Sequence, residues 1–205
     1  MSEKLKDMSI AAFVDLTASD APAPGGGSVS ALFGALSAAL TGMVAGLTVG
    51  KKKYVEVEAE MREVAAAAEA LKKELVEEID RDSESFNEFM AAMALPKNTD
   101  EEKAARKAAM QNGLKSAAKV PCHVAETAAR IFPLAKTVVE RGNTNAVTDG
   151  LVAAMAARTA VIGAGLNVKI NLASIEDEDF VAEYSARVAA LEEQAIAAER
   201  EIFAL

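Results

Sequence analysis

The stretch Ala21–Gly50 carries no charged residue, and it constrains the fold more than any other part of the chain. It opens APAPGGGS and continues as small apolar residues, with Ser30, Gly34, Ala38, Gly42, Gly46 and Gly50 repeating every four positions. Thirty uncharged residues could cross a bilayer, and a small-residue stripe suits close helix packing in lipid. The stretch is rich in Gly, Ser, Thr and Ala, however, and it lacks the Trp and Tyr anchors of a span, with no second span beside it. The expectation is therefore a helix buried on all sides inside a bundle, with no membrane as partner.

The rest of the 205 residues favours helix. Alanine dominates and the chain contains only 5 prolines and 12 glycines, so breakers are rare and intrinsic propensity points one way. The periodicity predicts helices over about 2–17, 28–49, 54–93, 99–119, 122–140, 145–168 and 178–203. Pro121 is expected to end one helix, and Pro133 to kink or restart the next. Thr99 followed by Glu102 is a capping-box signature. The 54–93 segment is long enough to require a kink or an elongated bundle. The fold class is thus all-α, a single-domain bundle of long helices over residues 1–205.

Several functions are disfavoured by composition. A net charge of −9 argues against nucleic acid as partner. One cysteine and one histidine leave no intrachain disulfide and no ordinary zinc set, which fits a reducing, cytoplasmic setting. The N-terminus has no apolar core of a secretory signal.

Four groups of residues could carry chemistry. The glycine run Gly25, Gly26, Gly27 with Ser28 feeds a helix start, where free N–H groups and the helix dipole make either an anion site or a capped hinge. It lacks the Lys-Ser/Thr pair of a phosphate loop. In Asp80-Arg81-Asp82, Asp82 shares a helix face with Phe86 and Phe89, whereas Asp80 points elsewhere as a solvated charge. In Gly142-Asn143-Thr144-Asn145-Ala146-Val147-Thr148-Asp149, Asn143 and Asn145 stand near Asp149 as either a site or a helix cap. Asn167 follows Asp149 by 18 residues, roughly 27 Å along one helix, so the two can share a pocket only with a long ligand or a second subunit. His123 and Cys122 read as a hydrogen-bonded histidine and a small core residue.

Taken in order, Pro22-Ala23-Pro24-Gly25-Gly26-Gly27-Ser28, Asp80-Arg81-Asp82 with Phe86, Pro96-Lys97, Gly142–Asn145 with Asp149, and Asn167–Asn171 resemble the cyclodeaminase/cyclohydrolase family over nearly the whole chain. This is the C-terminal domain of formiminotransferase-cyclodeaminase, which also occurs alone as a bacterial methenyltetrahydrofolate cyclohydrolase. The resemblance implies an all-helical, cytoplasmic homodimer acting on a tetrahydrofolate derivative, without cofactor or metal. It implies hydrolysis of 5,10-methenyltetrahydrofolate, or alternatively cyclodeamination of formiminotetrahydrofolate supplied by a separate formiminotransferase. Asp82 and Asp149 are the expected acid/base pair. Pro24, Gly25, Gly26, Gly27, Ser28 and Lys53 are expected around the folate's carboxylates, with Phe86, Asn143, Asn145 and Asn167 as further binding residues. A non-enzymatic oligomerisation scaffold, or an enzyme acting on a non-folate amidine, are the competing readings.

Overall fold

The computed structural model describes residues 4–205. The expected helix start at Ser2 lies outside them. From Leu5 onward, the N-terminal segment is not one helix. A 3-10 turn at Leu5–Asp7 precedes α1 (Ile10–Thr17), which starts where the Ser9 hydroxyl accepts the Ala12 N–H at 3.2 Å.

The two central helices are α2 (Gly26–Thr48) and α6 (Val147–Leu172). They run antiparallel: Gly26 meets Asn167, Gly163 meets Ser30, Ser37 donates to the Ala153 carbonyl, and Thr48 accepts from the Asn143 N–H. On its other flank α2 packs against α3 (Glu58–Met93), which follows a 3-10 segment at Lys52–Val57. Small residues allow this approach. A Cβ on Gly34 would lie 3.1 Å from both Leu75 methyls. The α3 stripe of Met61, Val64, Ala68, Leu71, Leu75 and Ile79 is buried at helical spacing, and the helix runs unbroken for about 54 Å.

Two prolines behave oppositely. Pro133 stands in the first turn of α5 (Ile131–Arg141), where its missing N–H costs nothing. It cannot donate to the Ala129 carbonyl, and α4 (Asp100–Ala129) ends there. Pro121 was expected to end a helix, yet α4 runs straight through it. Its missing N–H would leave the Ala117 carbonyl open, and Asn171 on α6 fills that place, donating Nδ2–H at 3.0 Å. The Thr99–Glu102 capping box forms, with reciprocal bonds of 3.2 Å. A 3-10 turn at Thr144–Ala146 leads into α6, and α7 (Glu178–Phe203) closes the bundle against α6, capped by Asp177.

The expectation that α2 is buried on all sides does not hold. Phe33, Leu36, Met43 and Leu47 form an exposed stripe along it, and Val152, Met155, Leu166 and Ile170 form another along α6. A second helical span, Thr144–Leu172, also meets the length and hydropathy of a membrane crossing. In both spans about half of the most apolar window is buried within the bundle, as in a core helix.

Candidate active site

The glycine run lies at the start of α2, directly against α3. The Ser28 N–H donates to Asp82 Oδ2 at 2.9 Å, and the Ser28 hydroxyl lies 3.1 Å from the same oxygen. A carboxylate at a helix N-terminus satisfies free N–H groups and meets the positive end of the dipole. The helix start does hold an anion, and that anion is the chain's own Asp82. The Ser28 donors are therefore engaged by protein rather than open to a folate carboxylate.

The glycines are required by this contact. A Cβ at Gly27 would fall 2.0 Å from Asp82 Oδ1, and one at Gly26 would fall 2.9 Å from Asn167 Nδ2. Gly25 has open space around it.

Asp82 thus presents two different oxygens. Oδ2 is held by Ser28, Oδ1 lies over Gly27, and the residue lines a cavity of about 300 Å³. That cavity is walled by Pro22, Gly25, Gly26, Gly27, Phe86, Asn167, Ile170 and Asn171, among others. Pro24 is buried just behind the loop. Burial pushes the Asp82 carboxyl above the usual range, with the two Ser28 hydrogen bonds pulling the other way. A carboxylate in this state can take and return a proton nearer neutral pH than an exposed one.

Asp80 is not the solvated charge expected. It is buried, and its Oδ1 accepts the Leu5 N–H at 2.7 Å, tying down the N-terminal turn. His123 stands on the other flank of α3, 3.1 Å from Glu74 and 3.8 Å from Glu78, in a separate charged cavity of about 470 Å³. Burial pushes the Cys122 thiol up to about 11, so it is an unreactive core group.

The remaining sequence candidates gather at the opposite end of the bundle. Asn143 is buried and fully engaged: its N–H donates to Thr48 Oγ1, its Nδ2–H to the Leu47 carbonyl, and its Oδ1 accepts the Asn145 N–H. It ties the end of α2 to the start of α6. Asn145 is exposed and Asp149 half-buried. Lys53 lies 3.4 Å from Thr144 Oγ1. Since Asn167 borders the Asp82 cavity, Asp149 stands about 27 Å away along α6. One chain therefore does not bring Asp82 and Asp149 together, nor Lys53 and the glycine loop.

Tyr54 belongs to that second cluster and was not anticipated. Its hydroxyl accepts the Thr144 N–H at 3.0 Å and lies 3.2 Å from Thr144 Oγ1, with the Lys53 ammonium over its ring. Those Thr144 bonds, helped by Lys53, lower the phenol to about 8. Ser83 and Ser85 line the same cavity as Asp82 and belong to none of the motifs quoted from the sequence. Among the described residues no three His, Cys, Asp or Glu side chains converge to hold a metal ion.

Comparison with known proteins shows the family. The family model of formiminotransferase-cyclodeaminase matches residues 9–190. A methenyltetrahydrofolate cyclohydrolase of Methylorubrum extorquens is 45% identical over 85% of this chain and 84% of its own. The rat formimidoyltransferase-cyclodeaminase is 37% identical over 94% of this chain, which spans only 36% of that longer protein. The crystal structure of a formiminotetrahydrofolate cyclodeaminase from Thermotoga maritima superposes with a TM-score of 0.86 at 32% identity, covering 97% of this chain and 96% of that one. By fold, by length of match and by identity, the chain belongs to the formiminotransferase-cyclodeaminase family.

Proposed function

We propose that this protein is a folate one-carbon enzyme that hydrolyses 5,10-methenyltetrahydrofolate to 10-formyltetrahydrofolate. The observation that carries the reading is the Asp82 carboxyl, held through Oδ2 by Ser28 and lining a cavity of about 300 Å³. The name of the M. extorquens relative supports hydrolysis. Cyclodeamination of formiminotetrahydrofolate is the second reading, supported by the Thermotoga neighbour's name. It would draw substrate from a separate formimino-transferring enzyme.

The methenyl bridge is an amidinium carbon between N5 and N10. Asp82 Oδ1 takes a proton from water as the water oxygen bonds to that carbon. The same carboxyl then returns the proton to N5 as the C–N5 bond breaks, and the hydroxyl proton leaves to solvent as the formyl group forms. While ionised, Asp82 also balances the cationic substrate. Its burial favours both roles, because a desolvated carboxylate is more basic and acts across a lower dielectric.

The active unit is a homodimer in this reading. The neighbouring helices α2 and α6 each expose an uncharged apolar stripe, and apolar patches of this kind mark an association surface. A two-fold axis laid across the helices sets α6 antiparallel to its copy. The Asp149 end of one subunit then meets the Asp82 cavity of the other, and the two carboxylates expected to pair do so between subunits. Lys53, Asn145 and Tyr54 arrive with Asp149.

The test follows methenyltetrahydrofolate absorbance in mildly acidic buffer, where spontaneous hydrolysis is slow. Wild type is expected to consume it and Asp82→Asn is not. Equal rates for the two would refute the assignment, and ammonia release from formiminotetrahydrofolate would move it to the second reading.

A further inference from the structure

The Ser28 side chain is fully buried, and its Oγ has three oxygen neighbours. The Ile79 carbonyl is at 2.9 Å, Asp82 Oδ2 at 3.1 Å and Ser83 Oγ at 3.2 Å. A hydroxyl has one proton to give, so Ile79 and Asp82 compete for it. Ser83 can donate to Ser28 Oγ in either case.

The charge on Asp82 decides that competition. A hydrogen bond to an ionised carboxylate is about twice as strong as one to a neutral acceptor, so Oδ2 wins while Asp82 is ionised. Once Asp82 carries a proton the advantage disappears, and the closer Ile79 carbonyl becomes the better acceptor. Throughout, the Ser28 backbone N–H keeps its bond to Oδ2. The carboxyl therefore stays tethered through Oδ2 while the hydroxyl turns.

We propose that the Ser28 hydroxyl is a two-position rotor that follows the charge of Asp82, pointing to Oδ2 in the ionised state and to the Ile79 carbonyl in the neutral one. It is a positioning residue that acts through Asp82. The rotor lets one buried carboxyl serve as base and then as acid without leaving a buried hydroxyl unpaired in either half of the cycle. This inference rests on the reading of Asp82 as the reacting group.

The experiment compares wild type, Ser28→Ala and Ser28→Cys. Titration of the Asp82 carboxyl is followed by carbon-13 NMR of aspartate-labelled protein, with Asp82→Asn assigning the signal. The pH dependence of kcat on methenyltetrahydrofolate is measured alongside. Loss of one charge-assisted donor is expected to raise the Asp82 midpoint by about one pH unit in Ser28→Ala, with the acidic limb of kcat moving by the same amount. Ser28→Cys, of similar shape but a weak donor, falls between. A rate loss with an unmoved midpoint would overturn the rotor, because a packing role predicts that result. Should Ser28→Ala fail to fold, the Ser28→Cys midpoint decides alone. If wild type proves inactive on folates, the functional reading fails while the NMR midpoints still decide what Ser28 does.

Discussion

Asn171 Nδ2–H donates to the Ala117 carbonyl at 3.0 Å, taking the place of the backbone bond that Pro121 cannot make. The same amide donates to the Asn167 carbonyl at 2.9 Å, and Asn171 lines the Asp82 cavity. One side chain thus holds α4 intact and shapes the wall where the substrate would sit. Asn171→Leu should leave the Ala117 carbonyl buried without a donor and cost about 1–3 kcal/mol. Pro121→Ala should restore the backbone donor, so the same Asn171 substitution in that background should cost much less. Urea unfolding of the four proteins of this double-mutant cycle measures the coupling, and additive losses would contradict it.

Gly27→Ala places a methyl where Asp82 Oδ1 now lies, 2.0 Å from the ideal Cβ position. The carboxylate must move, and its bonds to Ser28 go with it. A fall in kcat of about 100-fold or more is expected, since displacement of about 1 Å is enough for such a loss. Gly25→Ala, with open space around it, should be far milder, and steady-state kinetics of the two variants separates them.

Asp82→Asn should remove activity without lowering stability at neutral pH. Burial raises the folded-state pKa of Asp82 above that of the unfolded chain. The folded state therefore binds the proton more tightly, and stability from this group is greatest at low pH. It declines as pH rises from the ordinary carboxylate value through the raised one, and stays reduced above it. Thermal melts at pH 4 and pH 7 should show Asp82→Asn at least as stable as wild type at pH 7, with that advantage gone at pH 4. A marked loss at pH 7 would mean that the Ser28 bonds outweigh burial.

The chain has two tyrosines, which should titrate far apart. Tyr54 is lowered to about 8 by its Thr144 bonds and by Lys53. Tyr184 is raised above its ordinary value by burial. Phenolate absorbance should therefore rise in two separated steps, and Lys53→Gln should move only the first, upward. A single step near 10 would show that the Thr144 contacts are absent in solution.

Hybrid dimers test whether the two ends of the molecule cooperate. Asp82→Asn and Asp149→Asn homodimers are each expected to be inactive. Coexpressed, they should form heterodimers with one intact composite site and regain activity. No recovery in an isolated heterodimer would confine the chemistry to one subunit.

What the sequence made legible was local. Thr99 and Glu102 are three residues apart, and their capping box formed as read. Pro133 broke the helix because, among the described residues, no side chain donates to Ala129, the carbonyl it deprives. Pro121 did not, because its substitute donor is 50 residues away in sequence, on Asn171. The site divided in the same way. Gly27, Asp82, Phe86 and Asn167 could be picked by residue type and resemblance, and the 18-residue spacing already set Asn167 apart from Asp149. That Asp82 and the glycine run stand at the Asn167 end follows from the antiparallel course of α2 and α6, which no single window of residues contains. Tyr54 was invisible because its unusual acidity comes from Thr144, 90 positions on.

Asp82 Oδ2 is at once the anion at the head of α2 and half of the group proposed to handle the proton. In that mechanism, each protonation weakens the anchor of the helix that runs through the middle of the protein. Chemistry and architecture share an atom. Substitutions that strengthen the anchor by adding donors to Oδ2 should lower the Asp82 pKa and make it a poorer base, so selection for stability at neutral pH and selection for speed pull this residue in opposite directions.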